Sequence, residues 1–217
     1  MRSYSIPKIK RRNIGLFLTL ACVFYIIWLV KLQKLDKCQD SLFKELVPSD
    51  VTFDSYIVKT KDGYHIQLFR LRRLDIINYQ KTPIFLQHGM GSSANQFLTN
   101  ARHLSNALVL VDQGYDVWLG NSRGNYYSRN HDHLDMNLHE EFWEFSFQHM
   151  SLDLIAELAF VIENTGHQKL DYIGHSMGAT MMIAGLSDPD ENIRLALSSY
   201  VRDFYALTPV VYLVNSF

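Results

Sequence analysis

The sequence predicts an α/β domain with a mainly parallel sheet, preceded by one membrane-spanning helix. An uncharged apolar run occupies residues 13–30, and the alternation of apolar and polar residues that is typical of strands begins near residue 49. Further along, short apolar runs alternate with stretches of helical periodicity. Strands that alternate with helices require crossover connections, and such connections make neighbouring strands parallel.

Composition excludes several classes of protein. The chain has 217 residues, of which 21 are Lys or Arg and 22 are Asp or Glu, so its formal net charge is −1. A hydrophobic share of 47% rules out a disordered chain, and the balanced charge argues against a nucleic-acid partner. Two cysteines are too few for a disulfide scaffold or a four-thiolate zinc site. We expect no metal and no cofactor, and nothing in the sequence indicates an oligomeric state.

The N-terminal segment is interpreted as a signal anchor. Basic residues cluster within residues 1–12, which predicts a cytoplasmic N-terminus, and residues 13–30 match the length of about 17–25 residues of a membrane-spanning helix. Residues 31–48 would be a linker that leads to a lumenal or extracellular domain. A cleaved signal peptide, giving a secreted or lysosomal protein, is the alternative. The apolar run exceeds the usual h-region of about 7–15 residues, and no small-residue cleavage pattern follows it.

The first half of the domain reads as a hairpin followed by a strand, a helix and a strand. Two alternating stretches, 51–58 and 64–71, flank the turn residues 61–63. Residues 83–88 form a short apolar run that ends at a glycine, as a buried strand does. Residues 97–111 then show helical spacing up to Gly114, and residues 115–119 read as the next strand.

The second half continues the same alternation. Ser151 is placed to cap a helix whose apolar face runs through residues 152–162 and which Gly166 ends. Residues 169–174 read as a strand, residues 177–186 as a helix, and residues 204–214 as a final apolar strand.

The chemistry is predicted at the strand-to-helix turn that contains Ser176. Gly174, Ser176 and Gly178 form a G-x-S-x-G motif directly after one predicted strand and directly before a helix. In such a nucleophile elbow the serine backbone is strained, and side chains at the flanking glycines would collide with the neighbouring strand or helix. The pentapeptide alone is a weak signal, but its context on both sides favours a catalytic serine.

A second motif is placed to complete an oxyanion hole. His88 and Gly89 follow the predicted strand 83–87, where a backbone N–H is needed beside the nucleophile. The two donors would be the main-chain amides of Met90 and Met177, the latter being the residue after the serine.

At this point the residues resemble the acid lipases, the family that includes gastric lipase and lysosomal acid lipase. The most specific match is GYDVWLGNSRGN at residues 114–125, and further matches cover residues 61–70, 85–93, 141–147, 165–178 and 205–210. The resemblance implies the α/β-hydrolase fold and hydrolysis of triacylglycerols or steryl esters, so the expected partners are a lipid ester substrate and, through the N-terminal segment, a membrane. It also implies that Ser176 is the nucleophile and that Met90 and Met177 supply the oxyanion amides. Methionine replaces the leucine and the glutamine that the family commonly has at these two positions.

One departure from the family concerns the catalytic acid and base. In α/β-hydrolases they follow the nucleophile in the chain, yet no histidine follows Ser176 here. We therefore expect residues 49–217 to be a partial α/β-hydrolase lipase domain, without the cap and the C-terminal strands and inactive by itself. The alternatives are a non-catalytic, membrane-anchored pseudo-hydrolase, or an esterase or acyltransferase of the same fold.

Three other polar features are interpreted as structural. His131, Asp132 and His133 are read as a solvated loop and not as metal ligands, because their spacing does not make them converge. Asp153 is expected in the first turn of its helix, where a carboxylate favours the helix dipole. Arg123 is expected to order its loop through hydrogen bonds to carboxylates.

Overall fold

The computed structural model describes residues 43–212. The predicted basic N-terminus (1–12), the predicted membrane-spanning segment (13–30) and most of the predicted linker lie outside the described residues. Within residues 43–212, no helix is both long enough and apolar enough to cross a membrane.

The predicted hairpin is confirmed. Strands β1 (Val51–Lys59) and β2 (Tyr64–Arg73) pair antiparallel along their whole length. The turn between them contains Gly63 at φ +96°, a backbone conformation that glycine adopts without steric penalty.

The hairpin continues into a seven-stranded sheet whose strand order is β1-β2-β4-β3-β6-β7, with β5 paired to β2. The further strands are β3 (Ile84–Gln87), β4 (Val117–Gly120), β5 (Asn130–His131), β6 (Leu170–His175) and β7 (Val201–Leu207). Pairings among β4, β3, β6 and β7 are parallel, whereas every pairing of β2 is antiparallel. The sheet is therefore mixed and not mainly parallel, because the hairpin joins it beside β4.

Helices cover both faces of this sheet. They are α1 (Asn106–Asp112), α2 (Phe147–Thr165), α3 (Met177–Leu186) and α4 (Glu191–Tyr200), with short 3₁₀ turns at Ala94–Phe97, Arg102–Leu104 and Glu140–Trp143. Helix α1 packs on the face that receives Leu86 and Leu119. The other three helices pack on the opposite face, where Phe85 and Trp118 are fully buried. Alternate residues of each central strand thus enter two separate cores.

Two predicted helix boundaries were wrong. The stretch 97–111 is not one helix, because Ser105 begins α1: its hydroxyl accepts a hydrogen bond from the Leu108 amide and donates one to the Phe97 carbonyl at 2.6 Å. Ser151 is not a cap. Helix α2 begins earlier, after Ser146, whose amide donates to Nδ1 of His149 at 3.0 Å. The predicted end at Gly166, with φ +72°, is confirmed.

The end of the chain also differs from the prediction. Helix α4 was not predicted, and the final strand covers Val201–Leu207 instead of residues 204–214. Thr208 follows it with φ +47° and ends the extended backbone. Among the described strands β7 lies at one edge of the sheet, and Tyr205 is half exposed there.

Candidate active site

Ser176 occupies a strained turn between β6 and α3. Its backbone angles are φ 50° and ψ −112°, outside the regions that side chains normally allow. Within residues 43–212 only Thr208 shares a positive φ without being glycine. The Ser176 amide donates to the carbonyl of Leu207 at 2.9 Å, which fastens the turn to the neighbouring strand. Strain that the surroundings hold in this way is typical of functional sites.

The two glycines of the motif stand where the predicted collisions would occur. A β-carbon on Gly174 would lie 2.6 Å from the backbone nitrogen of Ala179, and one on Gly178 would lie 2.5 Å from the carbonyl oxygen of Gln87. Both distances are far below van der Waals contact, and both neighbours are main chain. This is the close approach of strand and helix that the sequence analysis expected.

The loop after β3 lies against this turn. A β-carbon on Gly89 would lie 3.4 Å from the β-carbon of Ser176 and 2.8 Å from Nδ1 of His175. Met90, directly after Gly89, and Met177, directly after Ser176, line the same cavity. The fold thus brings together Ser176, Gly89, Met90 and Met177, the residues that the sequence analysis grouped.

The cavity beside them has a volume of about 900 Å³. The apolar part of its lining, which we call the apolar wall, consists of Trp143, Phe145, Phe147, Met150 and Met177. The polar part is formed by the loops after β3 and β4, including His88, Ser122, Asn125 and Arg129. An extended apolar group with one polar end matches this lining.

His88 connects the loops after β3 and β4. Its ring is buried, with 1% of the residue exposed. Nδ1 lies 2.8 Å from the carbonyl oxygen of Gly89, and Nε2 lies 3.1 Å from the amide of Ser122 and 3.0 Å from the side-chain amide of Asn125. Burial lowers the pKa of His88 to about 4, so the ring is neutral at physiological pH.

Asn121 is the second link between these loops. Its side-chain oxygen accepts from the Ala94 amide at 3.1 Å, and its main-chain N–H donates to Oε1 of Glu157 at 3.1 Å. Glu157 is fully buried on α2, and its Oε2 has no hydrogen-bond partner among the described residues. Burial raises the pKa of Glu157 well above its usual range, and the neighbouring Asp153 adds to that rise. Glu157 was not predicted as a site residue, although Asp153 and Glu157 interrupt the apolar face of α2 one turn apart.

Arg123 holds the loop after β4 as predicted, through carboxylates. Its Nε donates to Oδ1 of Asp153 at 2.9 Å, and its Nη1 donates to Asp62 at 2.7 Å. The guanidinium also lies over the ring of Tyr64, 4.0 Å from the ring centre. The interpretation of Asp153 was wrong: it lies in the second turn of α2 and not in the first, it is fully buried, and it serves as the partner of Arg123.

The histidine-rich stretch is built into the sheet edge. His131 belongs to β5 and donates through Nε2 to the Asp62 carbonyl at 2.8 Å, while its Nδ1 accepts from the amides of His133 and Leu134. Asp132 pairs with Lys59 at 2.5 Å. Within residues 43–212, no group of three or more His, Cys, Asp or Glu side chains is arranged to hold a metal ion.

Comparison with known proteins places this geometry in a family. Residues 82–198 match the family model of the alpha/beta hydrolase fold, and residues 47–101 match that of the partial alpha/beta-hydrolase lipase region. A bacterial brefeldin A esterase, described as a homologue of human hormone sensitive lipase, shares the fold with a TM-score of 0.51. It is 19% identical, and the match covers 81% of this chain and 47% of that one.

Curated relatives are closer in sequence. Mouse gastric triacylglycerol lipase is 41% identical over 72% of this chain, and human lipase member K is 40% identical over 73% of it. Human lysosomal acid lipase/cholesteryl ester hydrolase is 37% identical over 72% of this chain. In each case the match covers 39% of the relative's own length. Together with the two family models, these identities show that the chain belongs to the alpha/beta hydrolase fold family and, within it, to the acid lipases.

Proposed function

We propose that this protein acts as a lipid ester hydrolase and that Ser176 is its nucleophile. The observation that supports the proposal most directly is the strained backbone of Ser176, held between β6 and α3 with Gly89 packed against it. The names of the relatives, triacylglycerol lipase and cholesteryl ester hydrolase, suggest a neutral lipid ester as the substrate.

In the proposed reaction the Ser176 hydroxyl attacks the ester carbonyl carbon, and the carbonyl oxygen becomes an oxyanion. The main-chain amides of Met90 and Met177 would donate hydrogen bonds to that oxyanion, and the N-terminus of α3 would add partial positive charge. The alcohol then leaves with a proton, and water releases the acyl group from the serine. A base must accept the hydroxyl proton. That role is assigned to none of the described residues.

The cavity is proposed to hold the acyl chain. Its apolar wall includes Trp143, Phe147 and Met150, and its volume of about 900 Å³ is large enough for a long hydrocarbon. Burial of methylene groups against this wall would contribute roughly 0.8 kcal/mol for each CH₂. A long-chain ester is therefore expected to bind better than an acetate ester.

Placement in the cell is proposed from the sequence. Residues 13–30 would carry the partial hydrolase domain of residues 49–217 into the secretory pathway, as a retained membrane anchor or as a cleaved signal peptide. The gastric and lysosomal names of the relatives are consistent with a lumenal or secreted domain.

The test uses protein expressed from its complete coding sequence. A fluorophosphonate probe should label the wild type, and the protein should hydrolyse emulsified trioleoylglycerol, whereas Ser176→Ala should do neither. Circular dichroism of both proteins checks that they are folded. Equal labelling of Ser176→Ala would contradict the proposal, and so would a folded wild type that neither reacts with the probe nor hydrolyses the ester.

A non-catalytic binding protein is the second candidate, and the observation that favours it is the cavity of about 900 Å³, whose apolar lining could hold a lipid without any chemistry at Ser176. The same samples separate the two. A folded wild type that binds fluorescent oleoyl esters with no turnover would support a pseudo-hydrolase. Transfer of the acyl group to an added alcohol in preference to water would indicate an acyltransferase of the same fold.

A further inference from the structure

We propose that His88 is a positioning residue for the oxyanion hole: its neutral ring fixes the peptide unit between Gly89 and Met90, so that the Met90 amide faces the cavity. This inference rests on the proposed function, because it assigns the Met90 amide the role of oxyanion donor. His88 itself touches no reacting atom, and its effect would be exerted entirely through the main chain.

The hydrogen-bond partners of His88 determine which ring nitrogen carries the proton. Nε2 faces the main-chain amide of Ser122, which can only donate, at 3.1 Å, and the hydroxyl of the same residue, which can donate or accept, at 3.3 Å. It also faces Nδ2 of Asn125 at 3.0 Å, and the oxygen of that side chain already accepts from the amides of Tyr127 and Ser128. Two of these three partners can only donate, so we assign Nε2 as the acceptor and place the ring proton on Nδ1. Nδ1–H then donates to the carbonyl oxygen of Gly89 at 2.8 Å.

Burial keeps the ring in this state. The residue is 1% exposed, and burial, followed by the nearby His175, lowers the pKa of His88 to about 4. No carboxylate lies among the hydrogen-bond partners of its ring, which are Gly89, Ser122 and Asn125. The ring can thus donate from Nδ1 and accept at Nε2 throughout the physiological pH range.

The bond to Gly89 fixes the direction of the next amide. The Gly89 carbonyl and the Met90 N–H belong to the same planar peptide unit and point in opposite directions. A ring that holds this carbonyl toward itself therefore turns the Met90 N–H away from itself. The Ser92 amide also donates to the same oxygen at 3.3 Å, and the Gly89 amide donates to Oε1 of Gln96 at 3.1 Å. Both peptide units that flank Gly89 are thereby held.

The loop after β4 supports this arrangement from the other side. Besides the Ser122 and Asn125 contacts to His88, Asn121 accepts from the Ala94 amide at 3.1 Å, and the Tyr127 hydroxyl donates to Oδ1 of Asn95 at 2.8 Å. The run of residues 121–127 thus anchors both the start and the end of the loop that carries Met90. This gives the sequence GNSRGN a role in holding the loop beside the nucleophile, in addition to its place in the lining of the cavity.

Two variants separate positioning from a merely structural role. The amide nitrogen of asparagine can occupy the place of Nδ1, so His88→Asn retains a donor to Gly89 and loses the contacts of Nε2. The amide oxygen of glutamine can occupy the place of Nε2, so His88→Gln retains an acceptor for Ser122 and loses the donor to Gly89. Positioning predicts that His88→Gln is the more impaired enzyme, although glutamine fills more of the space of the ring.

The activity measurement uses protein from the complete coding sequence with p-nitrophenyl butyrate. Oxyanion donors act in the transition state, so His88→Gln should lower kcat by at least about 10-fold, toward the roughly 10²–10³-fold effect of losing one donor, with KM little changed. His88→Asn should retain a clearly higher kcat than His88→Gln. A wild-type kcat in His88→Gln, the reverse order of the variants, or a change confined to KM would overturn the inference.

A measurement that needs no catalysis tests the geometry in the wild type, even if a variant fails to fold. Nitrogen-15 NMR of the histidine side chains at pH 7 should show His88 neutral and protonated at Nδ1. A ring protonated at Nε2, or at both nitrogens, would overturn the inference whatever the activity. Absence of Ser176-dependent turnover in the wild type would overturn the proposed function, whereas turnover that is unaffected in His88→Gln would overturn only the role of His88.

Discussion

Gly178, the second residue of α3, packs directly against the main chain of Gln87 at the end of β3. A β-carbon on Gly178 would lie 2.5 Å from the carbonyl oxygen of Gln87 and 2.9 Å from its carbonyl carbon. Gln87 is fully buried between two parallel strands, so its backbone cannot move aside without disturbing the sheet. Helix α3 can approach the sheet this closely only because residue 178 has no side chain.

Gly178→Ala should therefore destabilise the protein. In an unobstructed helix this change would stabilise by about 1 kcal/mol, whereas overpacking against fixed backbone costs about 1–3 kcal/mol. We expect a net loss of up to about 2 kcal/mol in the free energy of unfolding, measured by urea denaturation. Gly166→Ala is the control: it meets no atom within 4 Å, and only its φ of +72° opposes the change. A Gly178→Ala variant more stable than the wild type would contradict the observed close approach.

The strained backbone of Ser176 should be measurable as stability. Its φ of 50° and ψ of −112° are accessible to glycine at little steric cost, while other residues there carry roughly 1–3 kcal/mol of strain. Glycine loses about 0.5–1 kcal/mol through the entropy of the unfolded chain. Ser176→Gly should therefore unfold at a higher temperature than Ser176→Ala, by about 1 kcal/mol in stability. A lower melting temperature for Ser176→Gly would mean that the turn is unstrained.

Glu157 should make stability depend on pH. Its carboxyl is buried, with Asp153, Tyr172 and Asn121 around it, and burial followed by Asp153 raises its pKa. The folded protein then retains a proton that the unfolded chain releases above a pH of about 4.3, so wild-type stability falls as the pH rises toward the folded pKa. In Glu157→Gln this loss should be absent. The stability of the variant should therefore gain on that of the wild type by up to about 1.4 kcal/mol for each pH unit between the unfolded and the folded pKa.

Denaturant midpoints measured from pH 5 to pH 8 test this prediction. The curve of Glu157→Gln should be flatter than that of the wild type and should rise above it at the alkaline end. Glu163→Gln, at an exposed position on the same helix, serves as the control and should follow the wild type. Parallel curves for Glu157→Gln and the wild type would show that Glu157 binds no extra proton in the folded protein.

The ion pair between Arg123 and Asp153 should contribute far more to stability than an exposed one. Both side chains are at most 1% exposed, so Asp153→Asn would leave a buried guanidinium short of a partner, at a cost of about 3–5 kcal/mol. Asp112→Asn removes a partner of Arg102 at a site where both side chains are about one-third exposed, and should cost at most about 1 kcal/mol. Urea denaturation compares the two. Equal losses would mean that burial does not set the strength of these pairs.

The turn at Ser176 and the first hairpin could be predicted from the sequence because their signals are local. The motif around Ser176 spans five residues, and the hairpin alternates apolar and polar positions on both sides of Gly63. The mixture of parallel and antiparallel strand pairs in the sheet could not be predicted from local signals. Nothing in β2 or β4 alone states that they are neighbours, and their antiparallel contact depends on how the whole sheet assembles.

The network around the site was predicted only in part, for the same reason. A carboxylate partner for Arg123 was expected, but Asp153 lies thirty positions further along the chain, and only the packing of α2 brings the two together. The start of α2 was missed because its cap pairs Ser146 with His149, whereas the usual signal has Glu or Gln in the second place. Helix α4 is weakly apolar, although Asp190 caps it by accepting from the Asn192 amide at 2.9 Å.

The Ser176 turn is fastened at both of its ends by bonds that do not involve any substrate. The Leu207 carbonyl receives the amide of Ser176, and the Tyr172 hydroxyl reaches the carbonyl of Gly178 at 2.7 Å. In an enzyme that works through this serine, the residue would lose its conformational entropy once, when the chain folds. It would not lose that entropy again in every turnover. The reactivity of the serine would then depend little on the affinity of the protein for a given ester. Such a serine suits substrates that differ mainly in their hydrocarbon chains.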